Sequence, residues 1–304
     1  VPWYHFTNPS ELDQVAERFH LHPLHVEDAR NADERVKVEG APHYTYALLK
    51  TLMLPEGADE PVFDTISMFA SHPVDHPTAD QPQPDHQEGE PFFIVVADTA
   101  KKDVAAALRR AGQEPDTANP MRLLYLVFDS LVDSYFPTVD ALDDKIDALE
   151  DRVIRPSPDL LSEIFTVKRQ LVDTRRLLVS TRDASMHLQR DGGVSLTSEH
   201  QLYLRDLYDH ISRLLDTIET QRDLLNNALD IYLSSIANRT NEVMKVLTVL
   251  STVALPALVM TSVYGMNVKG LPFLGSNYAA EYVAGMTLVL TGCLLGLLRW
   301  LGWF

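Results

Sequence analysis

Three groups of residues have types and spacings that could handle ions. Met244, Leu247, Ser251, Leu255, Leu258 and Ser262 recur at alternating steps of three and four, which puts them on one face of a helix in a left-handed bundle. That face is apolar at its start and carries isolated hydroxyls farther on. Such a face can line a narrow pore with an apolar constriction that gates by dewetting, and ordinary helix packing with small Ser residues at the contact accounts for it equally well. The stripe ends in "TSVYGMNVKGLPF", Thr261 to Phe273, where Tyr264, Gly265, Met266 and Asn267 interrupt an apolar run. Gly lets a backbone leave a helix, and Asn is a common helix C-cap. The third group is acidic. Asp and Glu number 43 against 26 Lys and Arg, a net charge of −17, which disfavours nucleic acid as a partner and leaves any single carboxylate readable as a solvated surface group. His72, His76 and His86 could bind a soft metal ion, but they lie in the polar stretch "SHPVDHPTADQPQPDHQEGEP", where His is ordinarily only solvated.

The elements that must hold these residues are of two kinds. From Val243 to Phe304 the only charged residues are Lys245, Lys269, Glu281 and Arg299, so nearly all the acid lies upstream. Val243 to Tyr264 gives about 22 apolar residues and Tyr282 to Leu298 about 17, with Tyr278, Trp300 and Trp303 as interfacial anchors; both suit a hydrocarbon core of roughly 30 Å. A buried soluble hairpin is the alternative, and two such runs closing so acidic a chain argue against it. Two spans leave both termini on one side. Arg239, Lys245 and Arg299 place that side in the cytosol by the positive-inside rule, with the linker 267–281 outside. Two spans cannot enclose a channel, so any pore needs several copies around an axis. Cys293, the single cysteine, excludes an intrachain disulfide.

Upstream, residues 1–118 mix short strand and helix signals. "TYALLKTLML" (Thr45 to Leu54) and "PFFIVVAD" (Pro91 to Asp98) read as buried strands, and "SELDQVAERF" reads as a helix start with Ser10 as N-cap. A small α/β domain follows. Ser71 to Pro91 reads as a loop between two strands. Residues 119–196 read as a helical hairpin: Leu142, Ile146, Leu149 and Val153 form one apolar stripe and Ile164, Val167 and Leu171 another, broken by the prolines of "RPSPDLLSE", after which Ser157 or Asp159 starts the next helix. After the Gly pair of "RDGGVSLTSEH", with Thr197 or Ser198 as cap, residues 197–266 read as one helix of roughly 70 residues, a rod on the order of 100 Å. Residues 299–304 form a short tail. The chain opens "VPWYHFTNPS" without an initiating Met or a signal-peptide pattern, so its start is read as truncated.

"YGMN" at the outer end of the first of two C-terminal spans resembles the signature of the CorA family of divalent metal transporters. The resemblance extends over nearly the whole chain, through "YLSSIANRTNEVMKVLTVLSTVALPALVMTSVYGMN", "YLRDLYDH", "LVDSYFPTVDALDDKIDALEDRV" and "HPLHVEDARNADERVKVE". It implies a funnel-shaped homopentamer in the inner cell membrane: an α/β cytosolic domain, a long-helix bundle, and two C-terminal transmembrane helices of which the first lines the pore. It implies that Gly265, Met266 and Asn267 form the selectivity filter, with five Asn267 amides holding a hydrated Mg²⁺ ion, since Mg²⁺ gives up its water reluctantly. By the same resemblance Met244 and Leu247 form the gate with Asn241 at its cytosolic side, Asp230 forms an acidic ring in the stalk, and Glu27, Asp28, Asp129 and Asp206 hold regulatory Mg²⁺ between neighbouring subunits. Mg²⁺ is thus both cargo and regulator, and the partners are other copies of the chain and membrane lipid.

Two segments depart from the family. The linker "VKGLPFLGSNYAAEY" lacks the acidic "MPEL" type of loop, and the tail "RWLGWF" lacks the usual Lys cluster. Both put the choice of metal in question, with Co²⁺ and Ni²⁺ as further cargo. The nearest rival is a zinc transporter of the same family coupled to protons, which would favour titratable groups along the stripe from Met244 to Ser262; it has none. A rival of another class is a membrane-anchored metal-sensing scaffold, for which a span ending on Gly-Met-Asn has no purpose. No Gly-rich phosphate loop, G-x-S-x-G elbow or zincin motif points to an enzyme.

Overall fold

The two apolar runs near Tyr44 and Phe93 pair through a strand that lies between them in sequence and in space. In the computed structural model, which describes residues 1–31, 33–55, 57–72, 90–98, 101–113, 119–154, 157–191, 198–266, 270–272 and 277–302, the strands are β1 (Trp3–Phe6), β2 (Lys37–Gly40), β3 (Tyr44–Lys50), β4 (Thr65–Ser71) and β5 (Phe93–Val96). They form one sheet in the order β1-β5-β4-β3-β2, antiparallel except for β1 against β5. The central strands are buried on both faces, which is why β3 and β5 read as unbroken apolar runs rather than alternating ones.

Side chains still alternate between the faces. Tyr44, Tyr46 and Leu48 of β3, Phe69 of β4, and Ile94 and Val96 of β5 share one core with Leu12, Phe19, Leu21, Val26 and Ala29. Those partners are Leu12 just before α1 (Asp13–Ala16), Phe19 and Leu21 between α1 and α2 (Pro23–Arg30), and Val26 and Ala29 on α2. The opposite face carries α4 (Pro120–Asp133), which packs on β3, β4 and β5 and against α3 (Lys102–Gln113). Just beyond α4, the buried Tyr135 hydroxyl donates to the Lys50 carbonyl at 2.5 Å.

The helix expected to open at Ser10 starts differently. A 3₁₀ turn over Pro9–Leu12 is capped by Asn8, whose side-chain oxygen accepts from the Ser10 N–H at 3.0 Å. Pro9 explains the shift: it sits where a missing N–H costs nothing, directly after a cap. Asn119 caps α4 in the same way, accepting from the Met121 N–H, again just before a proline.

The helical hairpin is α5 (Phe136–Val153) and α6 (Leu160–Asp191), with both expected stripes buried. The long helix α7 runs unbroken over Ser198–Gly265, and α8 spans Ala279–Trp300. Gln221 of α7 donates to the Val139 carbonyl at 3.0 Å and to Asp143 at 3.2 Å, fastening α7 to α5, while Arg175 pairs with Glu219 to fasten it to α6. Thr197, His76, His86 and Trp303 lie outside the described residues. His72 is described: its Nε2 lies 3.1 Å from the Thr45 hydroxyl at the sheet's edge, which gives it a structural partner.

Two compact units emerge, Val1–Val153 with Ser157–Leu229, and Ile154–Pro156 with Asp230–Phe304. In the second, Tyr264 shares a recess with Glu281, Tyr282, Gly285 and Met286, and Asn241, Met244 and Lys245 share another with Leu301 and Gly302. The helix α8 therefore runs back beside α7. None of its residues is buried, and so continuous an apolar surface demands lipid or further copies of the chain.

Buried His25 sits beneath the sheet's first core. The Tyr44 hydroxyl, which accepts from the His22 N–H, donates to His25 Nδ1 at 2.8 Å, and His25 Nε2–H donates to Glu39 at 3.0 Å. Burial pushes the pKa of His25 below 6.5, against the pull of Glu39. A lowered His pKa means that the unfolded chain takes up the proton first. Stability from the neutral ring is therefore complete above pH 6.5 and is lost as pH falls through that value toward the folded pKa. The expected result is a melting temperature that drops between pH 7.5 and 5.5, with a shallower drop in His25→Gln; equal slopes would remove His25 from the account.

Candidate functional site

The acids of the first unit are brought together by two helices with matched spacing. Tyr125, Asp129 and Asp133 follow one another by four residues along α4, and Tyr203, Asp206 and His210 by three and four along α7, so each trio occupies one helix face. Arg122 holds the faces in register. Its guanidinium lies 4.1 Å from the Tyr203 ring and 5.3 Å from that of Tyr125, and the two rings stand 5.3 Å apart. One turn farther on, Asp129, Asp133 and His210 each place a ligand atom within 4.8 Å of the others.

The charges there could hold a cation. The Asp129 side chain is only 8 % exposed; burial, then the neighbouring Asp133 carboxylate, pushes its pKa up, while Arg110 pulls it down. His210 Nδ1 has no hydrogen-bond partner and lies 4.0 Å from Asp133, and its Nε2 lies 3.8 Å from Asp206. Arg110 of α3 contacts both carboxylates, Asp133 at 2.7 Å and Asp129 at 3.2 Å. Carboxylate oxygens suit Mg²⁺, held directly or through its water shell, whereas an imidazole nitrogen adds affinity for Co²⁺, Ni²⁺ or Zn²⁺.

Of the expected regulatory residues, Asp129 and Asp206 meet around His210. Glu27 and Asp28 lie on α2, outside that cluster: Glu27 is exposed, and Asp28 accepts from Lys37 Nζ at 2.8 Å. Asp133, His210 and Arg110 were not among the sequence candidates. The signal for the first two was present as acid and imidazole four residues beyond Asp129 and Asp206; Arg110 came from a different helix and had none.

In the second unit the residues of the stripe, Met244, Leu247, Ser251, Leu255, Leu258 and Ser262, are all exposed, as are Asp230 and Asn241. The less exposed face of α7 is a different one, Thr248, Thr252, Pro256, Met260 and Tyr264. Packing within the chain therefore does not account for the stripe. The Thr248 and Thr252 hydroxyls donate to carbonyls one turn back, at 2.8 Å each, as a helix in lipid requires. The hydroxyls of Ser251 and Ser262 have no such partner among the described residues.

At the helix end, Tyr264 donates to the Pro272 carbonyl at 3.4 Å, bracing the linker. Gly265 is the last residue of α7. Its backbone is not left-handed, and a Cβ there would meet nothing within 4 Å among the described residues. Among the described residues nothing at this position requires glycine. Met266 is exposed, and Asn267 lies outside the described residues.

This arrangement has relatives. The profile of the family described as "CorA-like Mg2+ transporter protein" matches residues 88–301. The cobalt/magnesium transport protein CorA of Thermotoga maritima is 32% identical over 278 residues, covering 89% of this chain and 74% of that protein. The putative metal ion transporter YfjQ of Bacillus subtilis is 28% identical over 312 residues, 99% of this chain and 89% of that one. Among solved structures, the CorA magnesium transporter from Methanocaldococcus jannaschii superposes with a TM-score of 0.78 at 20% identity, covering 99% of this chain and 90% of that one. With a long helix, two exposed apolar spans and a carboxylate cluster already in view, the chain belongs to the CorA-like Mg²⁺ transporter family, membrane proteins that move divalent metal ions and are not enzymes.

Proposed function

We propose that the chain forms a homopentameric, passive Mg²⁺ channel in the inner cell membrane, driven by the membrane potential and closed by intracellular Mg²⁺, with Co²⁺ and Ni²⁺ as further cargo. The observation that carries this reading is the exposed stripe of α7, which offers apolar and hydroxyl side chains and no titratable group. Five copies around an axis would set Met244 and Leu247 as a dewetting gate and Ser251, Leu255, Leu258 and Ser262 along the pore beyond it. Asn241 lies below the gate and Asp230 below that as an acidic ring that concentrates cations. Gly265, Met266 and Asn267 form the filter. The absence of titratable groups from the stripe between Met244 and Ser262 favours a channel over proton coupling.

Regulation resides in Glu27 and Asp28 of one subunit facing Asp129 and Asp206 of its neighbour. Carboxylates from adjoining subunits repel one another unless a divalent ion lies between them, so bound Mg²⁺ holds the pentamer closed and its release frees it. In this reading residues 1–118 and 119–196 are cytosolic, 197–266 form the stalk and first span with its membrane part about 243–264, 267–281 lie outside, 282–298 cross back, and 299–304 return to the cytosol.

The deciding experiment is Mg²⁺ uptake by proteoliposomes with an internal indicator, an inside-negative potential and no pH gradient. Uptake that follows the voltage is expected. Zn²⁺ uptake that requires a pH gradient, with no Mg²⁺ uptake, would instead place the chain with proton-coupled zinc transporters. No flux of either ion would leave a metal-sensing membrane anchor.

A further inference from the structure

Each half of the proposed sensing interface has a cation of the chain's own seated on its carboxylates. Beside α4, the Arg110 guanidinium spans two acids, with Nη1 at 2.7 Å from Asp133 and Nη2 at 3.2 Å from Asp129. These are the same two carboxylates that, with His210, could close on a metal ion. Beside α2, Lys37 Nζ lies 2.8 Å from Asp28, 3.5 Å from Glu34 and 3.7 Å from Glu39. The two cations come from different elements, α3 and β2, and reach the two sets of acids independently.

The physical need for them is plain on the α4 side. Asp129 is nearly buried and has Asp133 and Asp206 as neighbours, and a desolvated carboxylate among like charges stays ionised only beside a counter-cation. A divalent ion satisfies that need, and so does a guanidinium, which is charged at every accessible pH. Both cannot occupy the same oxygens. Arg110 is about half exposed, at 49 %, so its long side chain can withdraw into water when displaced. Lys37 is more enclosed, at 24 %, and is held by three carboxylates; losing Asp28 leaves it two partners.

We infer that Arg110 and Lys37 are tethered competitors of the regulatory metal ion, each only partly neutralising the sensing carboxylates of its own subunit when the ion is absent and yielding them when it binds, and so setting the Mg²⁺ concentration at which the protein responds. The inference rests on the reading of Asp28, Asp129 and Asp206 as sensing ligands. Binding is then an exchange of cations. The observed affinity is the intrinsic affinity reduced by the fraction of sites the tethered cation already holds.

The test is a Mg²⁺ titration of the purified full-length protein in detergent, following bound Mg²⁺ by calorimetry and the Mg²⁺-dependent rise in melting temperature. In Arg110→Gln the midpoint moves to lower Mg²⁺ by about tenfold, the size of effect expected for one close charge at a partly desolvated site. Lys37→Met moves it the same way. Arg110→Lys, which keeps the charge, shifts it less. Arg109→Gln, an exposed charge one residue away, stays near the wild type and so separates a seated competitor from a general change in surface charge. Asp129→Asn raises the midpoint. If Asp129→Asn raises it while Arg110→Gln and Lys37→Met leave it unmoved or also raise it, the competitor idea is wrong and the site stands. An unmoved midpoint in Asp129→Asn removes the sensing site itself, and the competitors with it. Should Arg110→Gln not fold, Lys37→Met decides alone.

Discussion

Asn267→Ala is expected to abolish Mg²⁺ uptake into proteoliposomes, lowering the initial rate at least about a hundredfold, with assembly and Mg²⁺ binding at the proposed cytosolic carboxylates retained. A single substitution removes an entire ring, because every copy contributes the same residue. Each amide oxygen that holds the hydration shell contributes about 1 kcal/mol, and five lost together exceed the roughly 2.7 kcal/mol that a hundredfold change requires. Behind the filter, Leu255 and Leu258 offer the ion no oxygen, and the Ser262 hydroxyl is a single, shorter-reaching group per copy in place of an amide. Alanine is a good helix former, so the change leaves α7 intact as far as Gly265 and the brace from Tyr264 to Pro272 in place. Wild-type flux through Asn267→Ala would move the filter elsewhere and leave Asn267 as a helix cap.

The long-range logic of the molecule was only partly legible in its sequence. Helical periodicity over tens of residues is a local signal, and it gave α7 as one element: of the apolar residues at helical spacing, Leu204, Ile211, Leu215, Ile218, Leu225 and Tyr232 are buried, Tyr208 and Leu229 half-buried, and Ile236 exposed. The two apolar spans were legible because their composition alone excludes water. The sheet was not, beyond β3 and β5. Trp3 and Phe6 of β1 pair with Phe93 and Val96 of β5, and nothing in four residues announces a partner some ninety positions away. The strand β4, "TISMFAS", hid because Ser67 and Ser71 break its apolar run. Both serines have buried partners instead, the Tyr46 hydroxyl at 3.4 Å and the Phe92 N–H at 2.8 Å. The carboxylate cluster around His210 shows the same division. Asp129 and Asp206 carried family meaning, whereas Asp133 and His210 acquire theirs from the tyrosine and arginine stack that sets α4 beside α7.

Gly265 is the informative disagreement. Its helical backbone and the open space around it mean that no demand for a residue without a side chain arises from the described residues of one chain. In a pentamer the demand would come from the approach of other copies or of the ion's water shell at the pore mouth. That places the cost of a side chain at Gly265 in assembly or conduction rather than in the stability of the isolated fold.

The second large effect concerns closure. Under the proposed regulation, the double variant Asp129→Asn with Asp206→Asn is expected to continue taking up Mg²⁺ at internal concentrations that shut the wild type, its inhibitory concentration rising at least about tenfold for each carboxylate lost. A charge-assisted contact contributes about 1.5–3 kcal/mol, so one such loss already suffices for a factor of ten. The two positions act differently. Asp206 is exposed, and its loss chiefly weakens the pull on the ion. Asp129 is nearly buried with its pKa raised by that burial, so its charge is held at a cost that a bound divalent ion relieves; replacing it with Asn removes both the ligand and the penalty. Coupling therefore falls from both ends: the closed state loses its metal bridge, and the metal-free interface loses the repulsion that opened it. By linkage, a channel that has lost this differential affinity cannot be closed by the ion however tightly Mg²⁺ binds elsewhere. The measurement is the rate of uptake into vesicles preloaded with graded Mg²⁺. An unchanged inhibitory concentration in the double variant would shift the sensor to Glu27 and Asp28 with Lys37, or to the Asp230 ring, and leave the cluster around His210 with a structural role alone.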